Sequence, residues 1–422
     1  MDEEVCDSCR ALSFQGLERS ARRPLQITMK ELSMAESPAL RPLGAIENLF
    51  SAYSEVGAMA FALVAEIEHP IEQATLTGAL AEVQALHALL QVCIGPDDDG
   101  RLSFIRREGP VSLAMRQASA LSLDEEIARD LEDPFPSSEG SLMRVTALSR
   151  GEATSLICTF HHAATDAKGA LVILMQLLGA IAGNRPSGSA EFQSLDRYVG
   201  YATPDFVRIP DRALDYPRSL TVESAHLSSE ATASLLAVAR RGGVTFNSLL
   251  VAAVAEARLQ LRRDAFRIMT PVDVRPLFDT STVDGLFLSI AITAREEAED
   301  MWDHARRIAG GIAAARNPKS VGGFVSAIGG RFALASDYAQ LRDLMVANPP
   351  YDAIVTNLGS IFSDEDDEHG RPKRVFGPIL KPFPGHDVIA VSSFEGRLTL
   401  AQSSAGGDTS MLSTVLSLLD TL

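Results

Sequence analysis

The sequence is short of cysteine and of positive charge, and each shortage removes a class of protein. Four cysteines in 422 residues cannot staple a chain of this length. Cys93 and Cys158 stand inside apolar runs, as small core residues do, so reduced thiols are expected. Cys6 and Cys9 form a Cys-x-x-Cys pair, but no second pair of cysteines or histidines follows at the spacing of a structural zinc site. The pair reads as chance spacing in an arm. Lys and Arg number 38 against 55 Asp and Glu, a net charge of −17, whereas nucleic-acid binding rests on neutralising phosphates with cations. Nucleic acid is thereby excluded as an expected partner. No stretch reaches the about 18 unbroken apolar residues of a membrane helix. The longest, at 169–183, is interrupted by Gln176 and Gly179 and reads as a buried helix, so no transmembrane segment is expected. The opening Met1-Asp2-Glu3-Glu4-Val5 is acidic where a signal peptide is basic, which makes the cytoplasm the expected compartment. There is no Gly-x-Ser-x-Gly elbow, no Walker-type phosphate loop and no Gly-x-Gly-x-x-Gly turn. Serine-nucleophile chemistry and bound nucleotide cofactors drop out accordingly, and no cofactor is expected.

What is present is a chain of alternating strands and helices. Residues 1–38 lack periodicity and read as a flexible arm. Phe61, Leu63, Ala65 and Ile67 alternate as on a strand, and Leu76, Leu80, Val83, Leu86 and Leu90 recur at helical spacing. Strands at 143–148 and 155–160, turning at Arg150-Gly151-Glu152, precede a helix at 170–182 closed by Gly183-Asn184. Between 185 and 218 the pattern lapses among Pro186, Pro204, Pro210 and Pro217. After it come helices at 246–261, around Met301 to Ile312 and at 410–422, strands at 266–270, 286–292 and 352–357, and a hairpin turning at Glu395-Gly396. The fold class is α/β (α+β), with an N-terminal lobe at 39–195, a linker at 196–218 and a C-terminal lobe at 219–422. The acidic run at 364–369 lacks the spaced ligands and central glycine of a calcium loop and reads as a solvated loop.

The chemistry concentrates in His161-His162-Ala163-Ala164-Thr165-Asp166, placed between the end of a strand and the start of a helix. Successive strand side chains point to opposite faces, so only one of the two histidines can address a given site. His162 can face a cleft as a general base, His161 serves packing or hydrogen bonding, and Asp166 orients the turn or caps the helix. Spacing alone also permits two core or surface histidines beside a capping aspartate, or His162 and Asp166 as two metal ligands. No further cluster of histidines and carboxylates supports the metal reading, and no metal is expected.

The segment 156–166, Leu-Ile-Cys-Thr-Phe-His-His-Ala-Ala-Thr-Asp, resembles the His-His-x-x-x-Asp-Gly signature of the chloramphenicol acetyltransferase-like superfamily, which includes condensation domains, polyketide-associated acyltransferases and alcohol acyltransferases. Arg41-Pro42-Leu43-Gly44 through Glu47, Phe246-Asn247-Ser248-Leu249-Leu250, Pro271-Val272-Asp273-Val274-Arg275 and Thr356-Asn357-Leu358-Gly359 agree in order. The resemblance implies two similar lobes with a tunnel between them, His162 as the catalytic base and Asp166 as a structural ion-pair partner. Around them it implies substrate-side residues at His161, Arg275, Thr356 and Asn357, with Arg275 also able to pair with Asp166 and Thr356 or Asn357 to donate near an oxyanion. Two positions depart from the pattern. Ala167 replaces the signature glycine, which strains the turn if that position needs a positive φ. The Asp-Phe-Gly-Trp-Gly element is absent, with Val375-Phe376-Gly377-Pro378 in a comparable region.

The expected activity is acyl transfer from acyl-CoA or an acyl carrier protein to a small alcohol, in lipid or secondary-metabolite assembly. An amide-forming condensation enzyme acting on an amine, or a non-catalytic binding module of the same fold, are the alternatives. An acidic carrier protein would need a local basic patch on this acidic chain, for which Arg262, Arg263 and Arg267, or Arg371, Lys373 and Arg374, are the candidates.

Overall fold

Side-chain alternation and capping residues set out most of the elements directly. The computed structural model describes residues 39–55, 57–188, 191–203, 220–261, 266–278, 280, 283–296, 299–334, 340, 351–362 and 372–422. The arm, the Cys6 and Cys9 pair, most of the 196–218 linker, the acidic run, Arg262, Arg263 and Arg371 lie outside them.

The first half builds its sheet on β2 (Phe61–Ile67), whose residues are all buried except Glu66, so both faces of the strand are covered. β7 (Ala153–Phe160) runs antiparallel beside it, and β6 (Met143–Arg150) completes a hairpin with β7 through a turn in which Gly151 adopts φ +64°. β5 (Ser112–Gln117) adds in parallel to β6. The other edge is filled from far along the chain: β14 (Arg374–Leu380) pairs antiparallel with β2, so the order is β14-β2-β7-β6-β5. A smaller sheet joins β1 (Ala39–Pro42), β4 (Leu102–Arg106) and β3 (Val92–Pro96).

Two helices of this half matter for the site. α1 (Ala45–Glu55) follows β1, and α4 (Ala167–Ile181) follows β7. Between them in sequence, α2 (Gln73–Leu86) and α3 (Leu123–Glu132) cover the sheets, and α3 opens with a Ser122 and Glu125 capping box. Short elements, β8 (Glu191–Phe192) and α5 (Leu195–Val199), occupy the start of the Pro-rich connector.

The second half carries a six-stranded sheet of order β12-β10-β13-β15-β16-β9. Its members are β9 (Leu220–His226), β10 (Arg267–Asp273), β12 (Leu288–Ala294), β13 (Ala353–Ile361), β15 (Asp387–Phe394) and β16 (Arg397–Ala405), while β11 (Val283–Asp284) pairs with β8 instead. β10, β13 and β15 run parallel, and the β15–β16 hairpin turns at Glu395 and Gly396, both at positive φ. α7 (Phe246–Gln260), capped by Thr245, packs with α6 (Ser229–Arg241), α8 (Met301–Ala315) and α10 (Ser410–Asp420) over the second core.

The two halves by chain order are crossed by this architecture. β14 belongs to the first sheet, and α9 (Pro318–Leu334) sends Val321, Val325, Ile328 and Phe332 into the first core, where Phe287 and Leu288 join them. Among the described residues no helix is long and apolar enough to cross a membrane.

Candidate active site

β7 ends at Phe160, and the chain turns through His161 to Thr165 before Asp166 starts α4. The two histidines diverge as the alternation requires. His161, 1% exposed, faces Phe135 with ring centroids 5.7 Å apart, its Nδ1 accepting from the Ala163 amide at 3.2 Å. It does not line the cavity into which His162 points: the pleat turns it into the first lobe. Burial, with His162 beside it, pushes its pKa down to about 3.

His162 points the other way, into an apolar cavity of about 300 Å³ between the two halves. Phe50 of α1 stacks on the imidazole at 4.0 Å and 13° between planes, and Phe61 of β2 meets it edge-on at 4.8 Å. The buried Nδ1 has no hydrogen-bond partner of acceptable geometry. Burial lowers the ring's pKa to about 4, against smaller upward pulls from the backbone of His162 and Thr165 and from Asp166. The ring is therefore neutral at physiological pH, as a proton acceptor must be.

Asp166 does not orient His162. Its Oδ1 caps α4, accepting from the Lys168 and Gly169 amides at 3.0 and 3.1 Å. Both carboxylate oxygens accept from Nη1 of Arg275, at 2.8 and 2.7 Å, and Oδ2 accepts from the Phe287 amide at 2.9 Å. Burial would raise this carboxyl's pKa, but the Arg275 guanidinium and the Phe287 and Gly169 amides outweigh it and hold it below the usual carboxylate range. Arg275 in turn donates Nη2 to the Gly285 carbonyl at 3.0 Å and lies 3.5 Å from Asp273. The pairing of Asp166 with Arg275 thus ties the histidine loop to the second half, and a carboxylate so occupied has little left for a metal ion. Gly169 is needed here for space, since a Cβ would lie 2.3 Å from Thr165 Oγ1 and 3.3 Å from Arg275 Nη2.

Ala167 causes no strain. It is the first residue of α4 and is not at positive φ, so alanine suits the position. We expect Ala167→Gly to lower stability by up to about 1 kcal/mol, read from the urea midpoint. A stabilised variant would contradict the helical assignment.

From the second half, Thr356 and Asn357 of β13 line the cavity together with Arg275. Asn357 Oδ1 accepts from the Gly359 amide at 2.7 Å, where the β13 register slips and Gly359 takes φ +82°. Part of Asn357 is therefore spent on shaping the bulge. Next to it the Leu358 carbonyl accepts from Lys168 Nζ at 2.6 Å, a second strut between the halves. Lys168, Phe50, Phe61 and Phe287 belong to the site although sequence reading passed over them. Of these only Lys168 had a local signal, its place directly after the motif. Apart from Asp273, Arg331, the Tyr53 and Tyr351 hydroxyls and the groups already named, the cavity wall is aliphatic and aromatic, with Leu49, Met269, Ile290 and Ile354 among its members.

The described cations of the two candidate basic patches are all paired. Arg267 bonds Asp352 at 3.2 Å, Lys373 bonds Glu68 at 2.8 Å and Arg374 bonds Glu66 at 2.5 Å.

No protein-family model matches the chain, and no curated protein matches it in sequence. Solved structures do match. Polyketide synthase associated protein 5 from Mycobacterium tuberculosis aligns over 91% of this chain and 97% of its own, with a TM-score of 0.63 at 16% identity. The first condensation domain of the calcium-dependent antibiotic synthetase, in complex with a substrate analogue, gives 0.64 at 15% identity over 90% and 95% of the two chains. Trichothecene 15-O-acetyltransferase from Fusarium sporotrichioides gives 0.63 at 13% over 90% and 94%. The chain therefore has the fold that these condensation-domain and acetyltransferase structures share, with two mixed α/β lobes.

Proposed function

We propose that the chain transfers an acyl group from a thioester, carried by coenzyme A or an acyl carrier protein, to a hydroxyl group, with His162 as general base. The observation that carries this is an imidazole on the wall of an apolar cavity between two lobes, on a loop fastened across them by Asp166 and Arg275. The fold supports acyl transfer or condensation in general. Among its bearers are an O-acetyltransferase and condensation domains, and the second reading is transfer to an amine with an amide as product.

In the proposed reaction His162 accepts the hydroxyl proton as the acceptor oxygen attacks the thioester carbonyl. The C–S bond then breaks and the departing thiolate takes the proton from the imidazolium, so the protein ends unchanged. Thr356 and Asn357, which line the same cavity, are the side chains proposed to donate to the developing oxyanion. Asp166 holds the loop and takes no proton. A covalent acyl-enzyme on cysteine finds no support among the described residues, since neither Cys93 nor Cys158 lines the cavity.

Incubation with a mixed pool of acyl-CoAs and candidate alcohols and amines, followed by mass spectrometry, is expected to yield ester and free coenzyme A. No product from any coenzyme A or carrier-bound donor would favour a binding module. Because burial lowers the His162 pKa to about 4, kcat/KM should stay flat on acidification past 6.5 and fall only as the ring protonates near its shifted value. An acid limb centred at 6.5 would contradict the buried environment.

A further inference from the structure

We propose that Phe50 is a positioning residue for His162: its ring, stacked on the imidazole, fixes the plane of the base and shields that face from water. A working histidine base is ordinarily held in one tautomer and orientation by a hydrogen bond at its second nitrogen. Here the His162 ring has backbone contacts at His162 itself and Thr165, but its buried Nδ1 has no partner in good hydrogen-bond geometry, so packing has to share the work of holding the ring's plane. Two aromatic rings supply it. Phe50 lies parallel at 4.0 Å, and Phe61 closes the side at 4.8 Å with 61° between planes.

The helix carrying Phe50 is itself fastened. Glu47 accepts two hydrogen bonds from Arg41, at 2.7 and 2.6 Å, and one from the Gly44 amide at 2.6 Å. Asp196 accepts from the Ala45 amide at 2.9 Å, and Asn48 donates to the Leu43 and Gly44 carbonyls at 3.0 and 3.1 Å. α1 also packs against α9. The Arg41 to Glu47 stretch, otherwise remote from the chemistry, thus sets the place of Phe50, three residues beyond Glu47 on the same helix.

The charged and titratable groups around the ring come from every neighbouring element. Asp166 and Lys168 lie on its own loop and helix, and Asp273 and Arg275 at the end of β10. Tyr53 on α1, Arg331 on α9 and Tyr351 before β13 complete the wall. All of these remain in a Phe50 variant, so its effect isolates the removed ring. Opening the face to water favours the imidazolium, while loss of the ring quadrupole disfavours it. The first effect is the larger, because burial is the main cause of the depressed pKa.

The test uses the full chain with 15N-labelled histidine, the His162 signals being assigned from His162→Ala, and kinetics in parallel. Phe50→Ala is expected to move the His162 titration up by about one pH unit or more. It should cut kcat by roughly 10–100-fold, with a smaller change in KM. Phe50→Tyr should restore both, and Phe50→Leu, which keeps most of the volume and so the fold, should fall between. An unmoved titration in folded Phe50→Ala and Phe50→Leu proteins would overturn the proposal, as would a kcat equal to the parent's. The kinetic arm rests on the acyl-transfer reading, and the titration arm does not. A moved titration without turnover of any donor sinks acyl transfer and keeps the positioning role, while full turnover with an unmoved titration does the reverse.

Discussion

Asp166→Ala is expected to destabilise the protein by about 3–5 kcal/mol, the range for removing one partner of a buried ion pair. The carboxylate accepts five hydrogen bonds, from Lys168, Gly169, Phe287 and twice from Arg275. Without it Arg275, whose side chain is 11% exposed, keeps only Asp273 at 3.5 Å and the Gly285 carbonyl. A buried cation is left short of countercharge, α4 loses its cap, and the amide of Phe287 loses its acceptor. Activity should fall with stability, because the same carboxylate fixes the His162 loop to the second lobe. The effect has a pH signature. Since the folded carboxyl titrates below its ordinary value, its contribution is present above about 4 and is lost as pH falls through the folded pKa. Urea titrations of parent and variant should therefore differ most at neutral pH and converge in acid. A difference below about 1 kcal/mol at pH 7 would contradict the clamp, being the size of a capping bond alone.

His162→Ala should behave in the opposite way, with turnover down roughly 10²–10⁴-fold, the range for a positioned general base, and the fold retained. No buried charge is orphaned by this change, since burial disfavours the charged ring and its Nδ1 has no partner in good hydrogen-bond geometry. His161→Ala should do less to chemistry, because its ring packs on Phe135 away from the cavity. Rapid-quench mass spectrometry should find no acylated protein during turnover, since direct attack leaves no covalent intermediate.

Local pattern made much of this molecule legible. The hairpin at 143–160, the helix that Asp166 caps, the helices near 246 and 301 and the hairpin at Glu395-Gly396 all follow from period, caps and turn residues, and the structure has each of them. Other elements depend on partners distant in the chain. β14 completes the sheet of the first lobe, which no local signal announces. α9 contains Gly322, Gly323, Gly329 and Gly330, which weaken helix propensity, yet forms because Val321, Val325, Ile328 and Phe332 bury on one face. Within the site, alternation requires the two histidines to diverge, and His162 lines the cavity while His161 packs on Phe135. Arg275 reads in the sequence as a substrate-side residue or a partner of Asp166, and in the structure it pairs with Asp166 while also lining the cavity. Phe50 was out of reach, since contact with a residue so far along the chain leaves no trace in the period of α1.

The central claim is tested most directly by measuring single-turnover acyl transfer in the parent and in His162→Ala side by side, each saturated with the donor and acceptor found by the substrate screen. The account predicts ester formation in the parent and a rate at least about 10²-fold lower in the variant, with both proteins folded and binding donor alike. A folded His162→Ala protein that transfers the acyl group at near the parental rate would contradict it.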